Sequence, residues 1–247
     1  MADRAAIVTG ASSGIGLAIA RVLGDEGYAL TMAARQPEKL EAARDQLAQA
    51  GVDVQAVAGS LSDEDAVQRV VAAHRDTYGR LDVLVNNAGV GHGSFLADLK
   101  TKHLDLLLTV NLRQLILFYR ESLGLLKEAG AEHRNALVVN TASISGKRGE
   151  PWMSVYSATK HGVVGWTQAM NRELSHLGIK STALCPAFVD TAMADFIKGS
   201  VDPSTMIRVE DVAESVRFLL HTSPGCLVPE IMFEMPGTGL NLEGVAG

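Results

Sequence analysis

Thr9-Gly10-Ala11-Ser12-Ser13-Gly14-Ile15-Gly16 is the stretch that decides the fold. It stands between the apolar run Ala5–Val8 and a segment in which Ile15, Ile19, Val22 and Leu23 recur at helical spacing. Strand, glycine-rich reversal and helix, in that order, open a βαβ unit. Such a turn must reverse tightly, let an anion approach the backbone, and bring helix and strand close together, and glycine serves each need. The helix N-terminus adds unpaired N–H groups and the positive end of a dipole. The spacing is G-x-x-x-G-x-G and not G-x-G-x-x-G, so the glycines alone leave a plain tight turn open. The flanking strand and helix point instead to phosphate binding by Gly10, Ser12, Ser13, Gly14, Ile15 and Gly16.

Outward from this turn, short apolar runs alternate with amphipathic segments. Strands are expected at Ala5–Val8, Ala29–Ala33, Asp53–Ala58, Leu81–Val85, Ala136–Val139, Lys180–Leu184 and Ile231–Glu234. Pro37 opens a helix that Gly51 closes, and Ser62 with Asp65 has the spacing of a capping box before another. Strands fed by helices imply right-handed crossovers and a parallel sheet covered on both faces. With no linker, repeat or low-complexity tract, residues 1–247 are expected to form one α/β domain, a Rossmann-type doubly wound sheet. The least regular stretch, 186–209, has the length of a substrate loop or of a plain surface excursion. From Leu104 to Tyr119 apolar residues run nearly all the way round the expected helix. A helix on one sheet face needs only a stripe, so a partner subunit is expected on the second side, deep insertion within one chain being the alternative.

A chain of 247 residues buries about 70–75% of its unfolded surface and needs no disulfide or metal staple. Its two cysteines, Cys185 and Cys226, fit a reduced, cytoplasmic setting. The absence of a secretory signal and of an apolar run of about 18 residues agrees with that expectation. A net charge of −6 argues against general nucleic-acid binding.

Three further features carry chemistry. An NAD site places a carboxylate on the ribose 2′-OH roughly 20 residues past the glycines, but the second strand ends Ala33-Ala34-Arg35-Gln36. Arg35 suits a 2′-phosphate instead, or is an ordinary solvated arginine; the missing acid and present base favour NADP(H) over NAD(H). Tyr156 and Lys160 lie four apart at the start of an apolar-periodic segment, on one helix face. Ser143, 13 residues earlier, follows a strand, where parallel α/β sheets place their sites. A free tyrosine, pKa about 10, holds its proton too tightly to be a good base. One positive charge at about 4 Å, with an effective dielectric of about 20, favours the phenolate by roughly 4 kcal/mol. That exceeds the ~2.7 kcal/mol needed to lower the pKa by about two, and Lys160 or an oxidised nicotinamide would supply the charge. Ser143 would then hydrogen-bond the substrate oxygen.

In these motifs the chain resembles the short-chain dehydrogenase/reductase family of the ~250-residue type over nearly its whole length. Thr9 to Gly16 matches the family's cofactor turn, and Asn86-Asn87-Ala88-Gly89 the segment that steadies the sheet and lines the adenosine side. Asn111, Ser143, Tyr156 and Lys160 match the catalytic tetrad in order and spacing. The resemblance implies Tyr156 as acid/base and Ser143 orienting the substrate. Lys160 would hold the nicotinamide ribose while lowering the Tyr156 pKa, and Asn111 would position a relay water. It also implies strand order 3-2-1-4-5-6-7 and a homodimer or homotetramer built on the helices around Asn111 and Tyr156. Cofactor contacts then fall to the glycine turn, Arg35, Ser60, Leu61, Asn87, Ala88, Gly89, Tyr156, Lys160, Pro186, Val189 and Thr191. Three positions depart from the pattern. Ser60 replaces the usual acid after the third strand, Ala187 the glycine after Pro186, and Glu234-Met235-Pro236-Gly237 the usual Asp-Gly-Gly ending.

The rest reads as background. His74, His103, His133, His176 and His221 show no metal spacing and read as solvated; His92 and His161 lie nearer the motifs. Lys147, Arg148 and Glu150 read as a solvated loop. Trp152, Met153, Phe95, Phe188, Met193 and Phe196 form an apolar pocket wall or pack in the core. The expected activity is hydride transfer between NADP(H) and a carbonyl or secondary alcohol of a medium-sized, largely apolar molecule. A silent NADP(H)-binding sensor of the same fold is the alternative.

Overall fold

The computed structural model describes residues 3–197 and 201–236. Seven strands form one parallel sheet: β1 (Ala5–Thr9), β2 (Ala29–Ala34), β3 (Val54–Ala58), β4 (Val83–Asn86), β5 (Ala136–Thr141), β6 (Ile179–Pro186) and β7 (Glu230–Phe233). Their order is β3-β2-β1-β4-β5-β6-β7, as the family resemblance implies. Each strand falls within two residues of its expected ends. β1, β2 and β6 are buried along their whole length, which is why they read as unbroken runs rather than as alternation.

Helices α1 (Gly14–Asp25), α2 (Pro37–Gln49) and α7 (Val209–Leu220) cover one face. Helices α3 (Glu64–Tyr78), α5 (Gln114–His133) and α6 (Ser154–Leu174) cover the other, with α4 (Thr101–Leu108) leading into α5. Ile19, Leu23, Leu30 and Leu40 fill the first layer; Val67, Leu84, Phe118 and Leu126 fill the second. The strand order reverses between β1 and β4, so the C-terminal ends of the central strands open on a crevice.

Three expectations are corrected. Ser62 and Asp65 form no capping box: α3 is capped at Asp63, whose side chain makes no cap bond, and its third residue is Ala66. The helix begins one residue later than a box would need, and Glu64 and Asp65 favour its dipole instead. His74 is not solvated. It is fully buried, within hydrogen-bond distance of Thr31 Oγ1 (2.7 Å) and the Arg80 carbonyl (2.8 Å), and burial pulls its pKa down to about 4. Lys147 is not merely solvated either, since it pairs with Glu230 at 2.8 Å and ties the loop after β5 to the edge strand.

The all-round apolar segment is not regular α-helix throughout. A π turn over Thr109–Arg113 joins α4 to α5, and Leu107, Asn111, Leu115 and Phe118 are buried along it. Leu106 and Leu108 stay on the surface, each 41% exposed. The stretch after β6 is closed on itself: Val189 bridges Ile207, and the Asp190 and Ile207 amides bond back across the same gap. The Phe196 side chain and Gly237 lie outside the described residues.

Candidate active site

The glycine turn is fastened at three points. Gly10 N–H donates to the Ala33 carbonyl (2.8 Å), which holds the turn beside the tip of β2. Thr9 Oγ1 accepts from the Asn87 and Ala88 amides (3.0 and 3.1 Å) and donates to the Val85 carbonyl. Asn87 Nδ2 donates to the Thr9 and Gly10 carbonyls, while its Oδ1 accepts from Thr141 Oγ1. Gly10 has φ +66°, and a Cβ there would stand 2.8 Å from Ala88 Cα. One at Gly16 would strike the Gly10 carbonyl. These two glycines let the turn pack on itself and on the end of β4.

The space for a dinucleotide lies beside that packing. Ser13 caps α1 without a side-chain bond, so no hydroxyl of its own occupies the N–H groups of the first turn. A Cβ at Gly14 would come 3.3 Å from the Thr191 methyl, so the helix start and the chain after β6 face each other across the crevice. Thr191 Oγ1 donates to the Val189 carbonyl, and Val189 and Pro186 are buried. Arg35 is exposed at the tip of β2, and Ser60 is exposed near it, Gly59 N–H donating to the Ala34 carbonyl. Leu61 points into the core. These residues fit a dinucleotide: bare backbone at the helix start, and at the β2 tip a cation with no acid.

Asn111, Ser143, Tyr156 and Lys160 meet at the C-terminal ends of β4 and β5, all nearly buried. Asn111 sits in the π turn and grips Val90 at both ends: its Oδ1 accepts from the amide (2.8 Å) and its Nδ2 donates to the carbonyl (3.0 Å). Nδ2 also reaches Thr159 Oγ1 at 3.3 Å, and that hydroxyl donates to the Tyr156 carbonyl. A Cβ at Gly89 would lie 3.3 Å from Asn111 Oδ1 and 3.7 Å from Lys160 Nζ, so the chain after β4 runs over the cluster. Lys160 Nζ donates to the Thr141 carbonyl (2.8 Å) and stands 5.6 Å from the centre of the Tyr156 ring. Ser143 Oγ accepts from the Ser145 amide (3.1 Å) and lies 3.4 Å from the Pro186 carbonyl.

The protein's own groups do not by themselves lower the Tyr156 pKa. Burial pushes the Tyr156 phenol above its ordinary value, with hydrogen bonding to Ser143 pulling the other way. Burial also pulls the Lys160 ammonium down to about 8. The lysine-lowered phenol expected from the i, i+4 spacing is therefore not what the protein's own groups produce. Removal from water penalises both charges, and the ammonium is directed to a carbonyl rather than to the phenol oxygen.

Sequence reasoning passed over Thr9, Thr141 and Thr159 as working parts. Thr9 adjoins the first glycine and could have been suspected; Thr141 contributes a backbone carbonyl, which no residue type announces. A buried chain from Asn86 through Asn140 to Thr167 joins β4, β5 and α6 behind the cluster. The His92 and His103 rings lie with centres 3.8 Å apart, tilted by 50°. Among the described residues no group of three or more His, Cys, Asp or Glu side chains could hold a metal. No described helix is long and apolar enough to cross a membrane.

Residues 4–200 match the sequence profile described as short chain dehydrogenase. A Streptomyces coelicolor protein named as a candidate ketoacyl reductase is 35% identical over 95% of this chain and 96% of its own. Among solved structures, an alcohol dehydrogenase from Thermococcus sibiricus with 5-hydroxy-NADP superposes with TM-score 0.87 at 29% identity, covering 96% of this chain and 98% of the other. A variant actinorhodin polyketide ketoreductase with NADPH gives 0.85 at 33% identity over 94% and 97%. A 3-ketoacyl-(acyl-carrier-protein) reductase from Brucella melitensis with NADH gives 0.84 at 28% over 94% and 96%.

Proposed function

The chain belongs to the short chain dehydrogenase family and is an oxidoreductase, and from that premise we propose that it reduces the carbonyl of a medium-sized, largely apolar molecule with NADP(H), Tyr156 giving the proton. The observation that carries this reading is the buried meeting of Tyr156, Lys160, Ser143 and Asn111 beside an open helix N-terminus. Bound NADPH would supply the hydride; the chain supplies everything else. A phenol raised by burial stays protonated at neutral pH and is poised to donate to the alkoxide that forms on reduction. Acting as base in the reverse direction, it would need positive charge brought close to it. Ser143 stands beside Tyr156 and donates to the same oxygen as negative charge develops there. Lys160, with a pKa of about 8, remains largely charged at pH 7, is held by the Thr141 carbonyl, and would hold the nicotinamide ribose. Asn111 fixes the chain after β4 and would place a relay water from its π turn, a feature frequent at functional sites.

Arg35, with Ser60 in place of an acid, supports NADP(H) over NAD(H); relatives solved with 5-hydroxy-NADP and NADPH agree, while one was solved with NADH. The free cysteines fit a cytoplasmic enzyme, and surface Leu106 and Leu108 support a homodimer or homotetramer through α4 and α5. The test is NADPH consumption at pH 7 against a panel of apolar ketones and aldehydes, with NADH in parallel. Turnover faster with NADPH supports the reading. Tight NADPH binding with no turnover on any carbonyl would replace it with that of a sensor.

A further inference from the structure

The loop before Tyr156 contains a residue whose backbone works against its own side chain. Met153 N–H donates to the Glu150 carbonyl (3.1 Å), closing a four-residue turn with Pro151 second and Trp152 third. Trp152 has φ +68°. Proline second with positive φ third is the pattern of a type II turn, whose third position ordinarily takes glycine or asparagine. A bulky aromatic residue there is a true outlier, and such strain concentrates at functional positions. The surroundings hold it in place: Ser94 N–H donates to the Trp152 carbonyl at 2.8 Å. A Cβ built on Gly93 would lie 2.5 Å from Cδ2, from Cε2 and from Cε3 of the indole. Equal distances to three atoms of the six-membered ring place that point over the ring's face, not its edge. The indole therefore lies flat on the bare backbone of Gly93, while 39% of the residue remains open.

The same segment carries a second wall. A Cβ on Gly91 would lie 3.5 Å from Met193 Cγ, and Met193 follows Thr191, which faces Gly14 across the crevice. Gly91 and Gly93 thus take Met193 and Trp152 against their bare backbone, and the His92 ring between them lies 3.8 Å, centre to centre, from that of His103 in α4. The segment begins at Gly89, beside Lys160 and Asn111.

We propose that Trp152, laid on Gly93, is a specificity-determining platform that stacks a flat, ring-bearing ketone and sets which carbonyl face meets Tyr156. This deepens the carbonyl-reductase reading and rests on it. An offset stack on an indole strengthens binding by about 3- to 10-fold over the same contact area without the π system, so an aryl ketone is favoured over its saturated counterpart.

Two bicyclic ketones of one carbon frame, 1-tetralone and 1-decalone, test it. Trp152→Gly restores the residue that the turn prefers. It is expected to raise KM for tetralone about tenfold and for decalone no more than about threefold, with kcat within twofold and Tm unchanged or higher. Gly93→Ala, which pushes the indole off its seat, is expected to give the same selective loss. An equal loss for both ketones with a lower Tm would assign Trp152 a merely structural role, and no change in KM for either would equally overturn the platform. A third measurement separates this inference from the reaction it rests on. The chain has two tryptophans, so Trp166→Phe leaves Trp152 as the sole indole, and its fluorescence is titrated with tetralone in the Tyr156→Phe background. Saturable quenching sustains the platform even if no variant turns over; its absence overturns the platform even if the wild type reduces both ketones.

Discussion

Lys160→Met exchanges the buried ammonium for an apolar side chain of similar length, and the structure fixes both the sign and the size of the effect. Burial lowers the Lys160 pKa from 10.5 to about 8. That fall corresponds to about 3 kcal/mol by which the folded protein disfavours the charge. The folded value is the depressed one, so the cost is complete below pH 8 and fades as the pH rises toward 10.5, where the unfolded chain also releases its proton. Methionine escapes the cost but forfeits the hydrogen bond to the Thr141 carbonyl, about 1 kcal/mol net. The variant is therefore expected to be more stable than wild type by about 2 kcal/mol at pH 7, a rise of about 4–8 °C in Tm for a chain of this size, with activity lost. Scanning calorimetry of both proteins at pH 7 and pH 10 reads it, with the advantage shrinking toward zero at the higher pH. A variant less stable than wild type at pH 7, or an advantage unchanged between the two pH values, would refute the reasoning.

Two other outcomes are expected. His74 is held neutral by burial with a pKa of about 4, so its stability is intact above pH 6.5 and about 3 kcal/mol is lost as the pH falls from 6.5 to 4. Denaturant titrations at those two pH values should show His74→Gln losing less than wild type by about that amount; parallel losses would remove the assignment. Arg35→Asp should weaken NADPH at least tenfold relative to NADH, about 1.4 kcal/mol, as read by cofactor titration, and an unchanged ratio would dismiss Arg35 as the 2′-phosphate partner.

The sheet was legible because β1, β2 and β6 are buried along their whole length and read as apolar runs, and because glycine marks a turn where helix and strand nearly touch. That Tyr156, Lys160 and Ser143 lie close together was legible from spacing, two residues on one helical turn and one at a strand end, whereas Asn111 was marked only by the family resemblance. His74 was legible in principle, since Val67, Val70, Val71 and Tyr78 mark the buried stripe of α3 on which it falls, and its position on that stripe outweighs its residue type. The capping box failed because a one-residue offset in helix start changes which side chain is third. Spacing places Lys160 near Tyr156 but does not give burial, and burial raises the phenol pKa, against the pull of Ser143, and lowers that of the ammonium. The strain at Trp152 has no signature in residue type, since the turn is made with a residue that such turns avoid.

The central claim is that the buried Tyr156 hydroxyl is the proton donor. Single-turnover reduction of a ketone at pH 7 by wild type and Tyr156→Phe, with NADPH affinity measured on both, tests it most directly. The account predicts a rate lower by about 10²- to 10⁴-fold in the variant with NADPH binding within about threefold, since only the hydroxyl is removed. Equal rates in the two proteins would contradict it.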